Sequence, residues 1–256
     1  MKSTKAAAHY QGHPRGSEQC QVCTMFIPQT DCTAVEGPVN RNGWCEYYAG
    51  IGAALTKAAR ATDKRPTEAQ KEAGNYKKGK VDVAGLQIAI ENPKGSTRSG
   101  VGKDGQPWRT VLPAHYGYIR GTEGRDGDAV DVYIGPDHKS TQVFVVDQID
   151  AHTKRFDEHK ALLSYPSKDA AVADYKRAFS DGKGGARIGA VSAMSLSKFR
   201  DWVQSGATKK PLAYADGGAV PLPGSHLYRH HLRELEAGGV RNTDGSISTV
   251  YGMTAP

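Results

Sequence analysis

The chain has 256 residues, with 34 Lys and Arg against 27 Asp and Glu and a formal net charge of +7. That length predicts one to two domains, each able to bury its own core. No apolar run approaches the roughly 18 residues of a membrane-spanning helix, so no membrane partner is expected. The N-terminus has early lysines but no apolar stretch of a secretion signal, which makes a cytoplasmic location the expectation.

Residues 1–50 contain many turn formers and little periodicity, the pattern of a small irregular unit held by ligands. All four cysteines, Cys20, Cys23, Cys32 and Cys45, fall in this stretch. Residues 51–80 hold eight basic and three acidic side chains. They are helix-prone but broken at Pro66, and read as a basic linker. From about residue 81 short strand candidates follow at 86–91, 109–112, 116–119, 129–134 and 143–149. Two amphipathic helices come next, 168–180 capped by Ser167 and 196–204 capped by Ser195. Strands followed by helices predict an α+β fold. Residues 207–256 read as a Gly/Pro-rich linker and polar tail, with a short helix at 227–236. Trp108 and Trp202 are expected in the core. The Lys-rich run 71–80 reads as solvated, and the charge distribution does not indicate nucleic acid.

The spacing Cys20-x2-Cys23-x8-Cys32-x12-Cys45 suits either a tetrahedral zinc or a four-iron, four-sulfur cluster. The run from Cys32 to Tyr48, CTAVEGPVNRNGWCEYY, with Tyr10 ahead of it, resembles the high-potential iron-sulfur proteins. That resemblance implies a 4Fe-4S cluster on Cys20, Cys23, Cys32 and Cys45, an electron-transfer type of domain and a redox partner. Aromatic side chains such as Tyr10, Phe26, Trp44, Tyr47 and Tyr48 would keep water from such a cluster.

Asp126, Asp128 and Asp131 stand at i, i+2 and i+5 in RDGDAVDV. A turn followed by a strand would gather them in one small volume, where crowded carboxylates call for a hard divalent cation such as Mg²⁺. The strings IAIENPKGSTRSG, LPAHYGYIRGTEGRDGDAVDV and DQIDAHTKRFDEHKALL resemble the family I inorganic pyrophosphatases. They are most similar to the compact pyrophosphatase-like domain of phage and mobile-element multidomain proteins. The resemblance implies a five-stranded OB-like β-barrel with flanking helices and Mg²⁺-dependent hydrolysis of a small phosphoanhydride. It further implies Asp126 and Asp131 as metal ligands and Asp128 as general base. Glu91 and Asp150 match further acidic metal positions; for the next one Asp157 and Glu158 compete, and the spacing to Lys160 favours Glu158. Arg98, Tyr116, Lys160, Tyr175 and Lys176 would hold phosphate oxygens.

The resulting expectation is a cluster domain at 8–50, a basic linker at 51–80, a pyrophosphatase-like domain at 81–206, and a linker and tail at 207–256, in a cytoplasmic or phage-associated protein. The rival is a non-catalytic module that binds metal and nucleotide, with a structural zinc or cluster domain.

Overall fold

The computed structural model describes residues 1–27, 30–102 and 105–212. In the N-terminal region a 3-10 turn at Cys20–Val22 precedes a minimal antiparallel pair, β1 (Phe26–Ile27) and β2 (Asp31–Cys32). The helices α1 (Ile51–Ala61) and α2 (Glu68–Glu72) follow, and then β3 (Gly79–Val83), β4 (Leu86–Asn92), β5 (Thr97–Val101), β6 (Pro107–Val111), β7 (His115–Ile119) and β8 (Asp131–Ile134). The chain continues through β9 (Gln142–Ile149), β10 (Phe156–Leu163), α3 (Lys168–Arg177), β11 (Ile188–Ser195) and α4 (Leu196–Gln204). Among the described residues no helix is long and apolar enough to cross a membrane.

The α+β class agrees with the expectation, but the five-stranded barrel does not. Seven strands form one open mixed sheet in the order β11-β9-β10-β8-β7-β4-β3, and β5 and β6 form a separate antiparallel hairpin. Among the described residues no ladder joins β3 to β11. Of the strands missing from the sequence reading, β3 lies at the end of the stretch read as a linker and β5 in the hairpin, while β10 and β11 are buried along nearly their whole length. A strand covered on both faces carries no alternation to betray it.

The two faces of the sheet have different covers. Val81, Ile88, Val132, Val145 and Ala161 pack with residues of α1 and α4, including Leu55 and Phe199. Tyr133, Val146 and Leu162 pack with Ala171 and Tyr175 of α3. Both late helices start where the sequence placed their caps: Ser167 accepts from Ala170 N and Ser195 from Lys198 N, each at 3.2 Å.

The stretch read as a linker contains α1, whose Ile51, Leu55 and Ala58 are buried in the sheet core. Val22, between the first two cysteines, is buried in the same core. β3 passes so close to α1 that a Cβ on Gly79 would lie 1.8 Å from Ala58 O, a contact only glycine permits. Thr208 and Leu212, in the stretch read as the second linker, are also packed against the domain. Thr208 is fully buried and donates to Glu123 O at 2.6 Å, and Leu212 N donates to Asp147 Oδ1 at 3.1 Å. The helix expected at 227–236 lies outside the described residues.

Candidate functional site

One end of the α3-covered face opens into a cleft of about 1000 Å³. Its floor follows from strand register. Lys160 of β10 pairs with Asp131 of β8 in parallel alignment, so both side chains leave the sheet on one face. Glu158, two residues earlier, joins them. The Lys160 ammonium binds the Asp131 carboxylate directly and the Glu158 carboxylate at 2.6 Å. Tyr116 also donates its hydroxyl to Asp131.

Two register irregularities re-aim acidic side chains here, as bulges beside sites commonly do. One falls between Ile90 and Asn92 and carries Glu91; the other falls between Phe156 and Glu158 and carries Asp157. Glu91 enters the cleft, where Tyr76 Oη lies 3.5 Å and Lys78 Nζ 3.8 Å from Glu91 Oε1. Asp126 and Asp128 reach the rim on a tight turn in which Asp128 N donates to Asp126 Oδ1 at 3.2 Å. Gly127 sits at its apex with φ of +90°, a conformation that favours glycine.

Crowding shows in the electrostatics. Burial first, and then the charge of Asp131, pushes the carboxyls of Glu91 and Glu158 above the ordinary range. Burial alone would lower the Lys160 ammonium, but Tyr116, Asp131 and Glu158 outweigh it and hold the group well above the usual lysine range. Charge on Lys160 is therefore built into the floor.

Of the residues named from sequence, Glu91, Arg98, Tyr116 and Asp126 line this one cleft, together with Asp128, Asp131, Glu158 and Lys160. Four others do not. Asp150 caps the turn after β9, accepting from His152 N and Thr153 N at 2.9 and 2.8 Å. Asp157 accepts from Gln148 Nε2 at 3.0 Å, and the same nitrogen donates to Glu158 at 2.8 Å. Tyr175 is fully buried and donates to Gln148 Oε1 at 2.9 Å, supporting Glu158 from behind. Lys176 is exposed on α3, outside the lining.

The sequence reading missed Lys78, Tyr76 and Trp108. The first two lie in the stretch taken for a linker, and only the local excess of lysine hinted at anion contact. Trp108, expected in the core, is half-buried on the hairpin and lines the cleft. The Arg98 guanidinium lies 5.7 Å from its ring and 4.9 Å from that of Tyr116.

Hard carboxylate oxygens suit Mg²⁺. Among the described residues, no three His, Cys, Asp or Glu side chains close up on one point. The carboxylates line the cleft with Lys160 between two of them, and the raised affinity of Glu91 and Glu158 for protons is what a bound cation would relieve.

The second chemical centre is in the N-terminal region. Cys20, Cys23, Cys32 and Cys45 are free, buried and line one small cavity with Met25, Phe26, Tyr47 and Tyr48. Backbone amides aim at the sulfurs: Ala34 N donates to Cys32 Sγ at 3.4 Å, and Met25 N and Ala49 N to Cys23 Sγ at 3.5 Å. Burial and the neighbouring thiols push Cys20 up to about 12, and burial also raises Cys23 and Cys45. Soft sulfur ligands in an apolar pocket, with amides donating to them, fit an iron-sulfur cluster. Trp44 turns outward from this pocket, donating to Glu18 at 2.8 Å beneath Arg15.

Comparison with known proteins agrees with this division. The family model described as Inorganic Pyrophosphatase matches residues 68–204, more than half of the chain. An iron oxidase of Acidithiobacillus ferrooxidans is 46% identical over 44 residues, which cover 17% of this chain and 49% of that protein. The chain thus spans about half the length of that relative. A high-potential iron-sulfur protein of Rhodopila globiformis is 38% identical over 40 residues, covering 16% of this chain and 70% of the relative. Among solved structures, an inorganic phosphatase of Anaplasma phagocytophilum is 17% identical and covers 48% of this chain and 92% of its own, with a TM-score of 0.30. The chain belongs to the inorganic pyrophosphatase family, and its N-terminal region is of the high-potential iron-sulfur protein kind.

Proposed function

We propose that the chain hydrolyses pyrophosphate or a closely related phosphoanhydride with Mg²⁺. The observation that carries this reading is the cleft floor, where Asp131, Glu158 and Glu91 crowd beside a locked Lys160 and the Asp126–Asp128 turn. Two bound Mg²⁺ ions would neutralise the carboxylates and lower the pKa of the attacking water. Asp126, Asp131, Glu91 and Glu158 are the residues to hold them. Asp128, exposed at the rim, accepts the water's proton as general base. Arg98 meets the phosphate oxygens from the hairpin, with a planar guanidinium suited to two of them. Tyr116 fixes the Asp131 carboxylate. Asp150, Asp157, Tyr175 and Lys176 act, if at all, from outside the cleft.

The four cysteines hold a 4Fe-4S cluster in a unit at about residues 8–50, and this unit exchanges electrons with a redox partner. The shared pocket and the amide-to-sulfur hydrogen bonds support a metal centre, and the likeness to a high-potential iron-sulfur protein favours the cluster over a structural zinc. Phosphate release from pyrophosphate, with Mg²⁺ and with the metal chelated, tests the hydrolase. No release by pure protein with its metal supplied would leave the binding module as the better reading. Iron, sulfide and zinc contents of anaerobically purified protein test the cluster.

A further inference from the structure

The segment between α1 and β3 is a folded wall of the cleft. Asp63 N donates to Lys77 O at 2.9 Å, which closes the segment into a strap. Thr62 Oγ1 ties that closure to the sheet by donating to Ile90 O at 3.1 Å, next to Glu91. Within the strap, Arg65 N donates to Asp63 Oδ1 at 2.9 Å. α2 is fixed by a reciprocal cap, Gln70 N to Thr67 Oγ1 at 3.3 Å and Thr67 N to Gln70 Oε1 at 2.9 Å. This framework carries Lys64, Arg65 and Lys78 to the cleft lining.

The position of these cations matters because Lys160 is committed to Asp131 and Glu158. Positive charge for an anion in the cleft comes from Arg98 and, on the strap, from Lys64 and Arg65, while Lys78 donates to Gly74 O at 2.6 Å and lies 3.8 Å from Glu91. The volume of about 1000 Å³ lies at the upper end of the roughly 300–1000 Å³ that holds drug-sized ligands, well above what pyrophosphate fills. We propose that the strap is a second anion subsite, in which Lys64 and Arg65 hold the phosphoryl group beyond the scissile pair, so that the cleft accepts linear triphosphates.

The inference rests on the hydrolase reading for its chemistry. Water oxygen bonds to the terminal phosphorus, the bridging P–O bond breaks with its electron pair on the departing diphosphate, and a water proton passes to Asp128. The far phosphoryl group of the departing diphosphate lies on the strap, where charged donors match its oxygens.

The test compares phosphate release from pyrophosphate, inorganic tripolyphosphate and ATP by the full chain with Mg²⁺, and repeats it with a Lys64→Ala, Arg65→Ala double variant. Both side chains are exposed, so the fold should tolerate the change. The double variant should raise KM for tripolyphosphate about tenfold, equivalent to about 1.4 kcal/mol, and change KM for pyrophosphate less than about twofold. Turnover of tripolyphosphate alone marks the inorganic chain as the natural source; turnover of ATP as well marks the triphosphate group whatever it is attached to. Equal loss on pyrophosphate and tripolyphosphate, or no triphosphate turnover by protein that cleaves pyrophosphate, overturns the subsite. If neither substrate is cleaved, calorimetry with non-hydrolysable imidotriphosphate and imidodiphosphate separates the two ideas. Tighter binding of the longer anion, lost in the double variant, retains the subsite while the hydrolase reading fails; equal binding overturns the subsite.

Discussion

Lys160 stands directly across from Asp131 in the parallel pairing of β10 with β8, and its ammonium ties that carboxylate to Glu158. The Lys160 side chain is 8% exposed, and those of Asp131 and Glu158 are 19% and 21% exposed toward the cleft. Removing the cation leaves two carboxylates facing each other with no ammonium between them.

Lys160→Ala is therefore expected to lower unfolding stability by about 3–5 kcal/mol in the metal-free protein, the usual cost of orphaning a buried partner. Urea titration monitored by circular dichroism measures it. A loss below about 1 kcal/mol would mean that solvent reaches the triad freely.

Glu91→Gln should do the opposite. Burial and the charge of Asp131 raise the Glu91 carboxyl, so the folded metal-free protein bears a cost whenever that group is ionised. The neutral amide removes the cost and should add about 0.5–2 kcal/mol at neutral pH. The sign reverses nothing at low pH: below the unfolded carboxylate range Glu91 is protonated in both states, and the gain should vanish there. Stability curves of both proteins at neutral and acidic pH, with metal chelated, read this out. A variant less stable than the parent at neutral pH would contradict it.

Leu55→Ala tests whether α1 belongs to the sheet. Leu55 is 1% exposed and packs in the core that also holds Val22 and Ile88. Truncation should cost about 2–5 kcal/mol in chemical denaturation. A change within about 0.5 kcal/mol is what a surface position in a tether would give.

Cys45→Ser should abolish iron and acid-labile sulfide in protein purified without air, since Cys45 is one of four thiols around a single pocket. Retention of full iron content by the serine variant would remove the Cys45 thiolate from the required ligands, and a parent that carries zinc and no iron would refute the cluster assignment.

Much of this arrangement was legible in the sequence, and the gaps have physical causes. The carboxylate turn was readable because Asp126-Gly127-Asp128 combines a glycine that permits positive φ with acids on either side. Ser167 and Ser195 announced α3 and α4 through a local hydrogen bond, which needs no tertiary context. Glu158 followed from its spacing to Lys160, but the bulge that turns Asp157 aside and the Gln148 amide that donates to both neighbours are products of strand pairing. Asp150 matches an acidic metal position of the resembled family, and in the fold its carboxylate accepts from His152 N and Thr153 N in its own turn. The largest gap was the strap. Lys78 reads as one more lysine in a solvated run, and becomes a cleft residue only because Asp63, Thr62 and Gly79 fold that run against β4. β10 and β11 escaped for a related reason, since full burial erases the alternation by which strands are recognised.

The most direct measurement is phosphate release from pyrophosphate by the purified full chain with Mg²⁺, set beside Asp128→Asn. Asp128 is exposed and its side chain is the general base of the proposed reaction, so the variant should fold as the parent does and lose roughly 10²–10⁴-fold in kcat. Turnover by the parent that disappears on chelation and falls by this amount in the variant is the predicted result. A parent that releases no phosphate, or a variant that matches it, would contradict the assignment of this cleft as a hydrolase site.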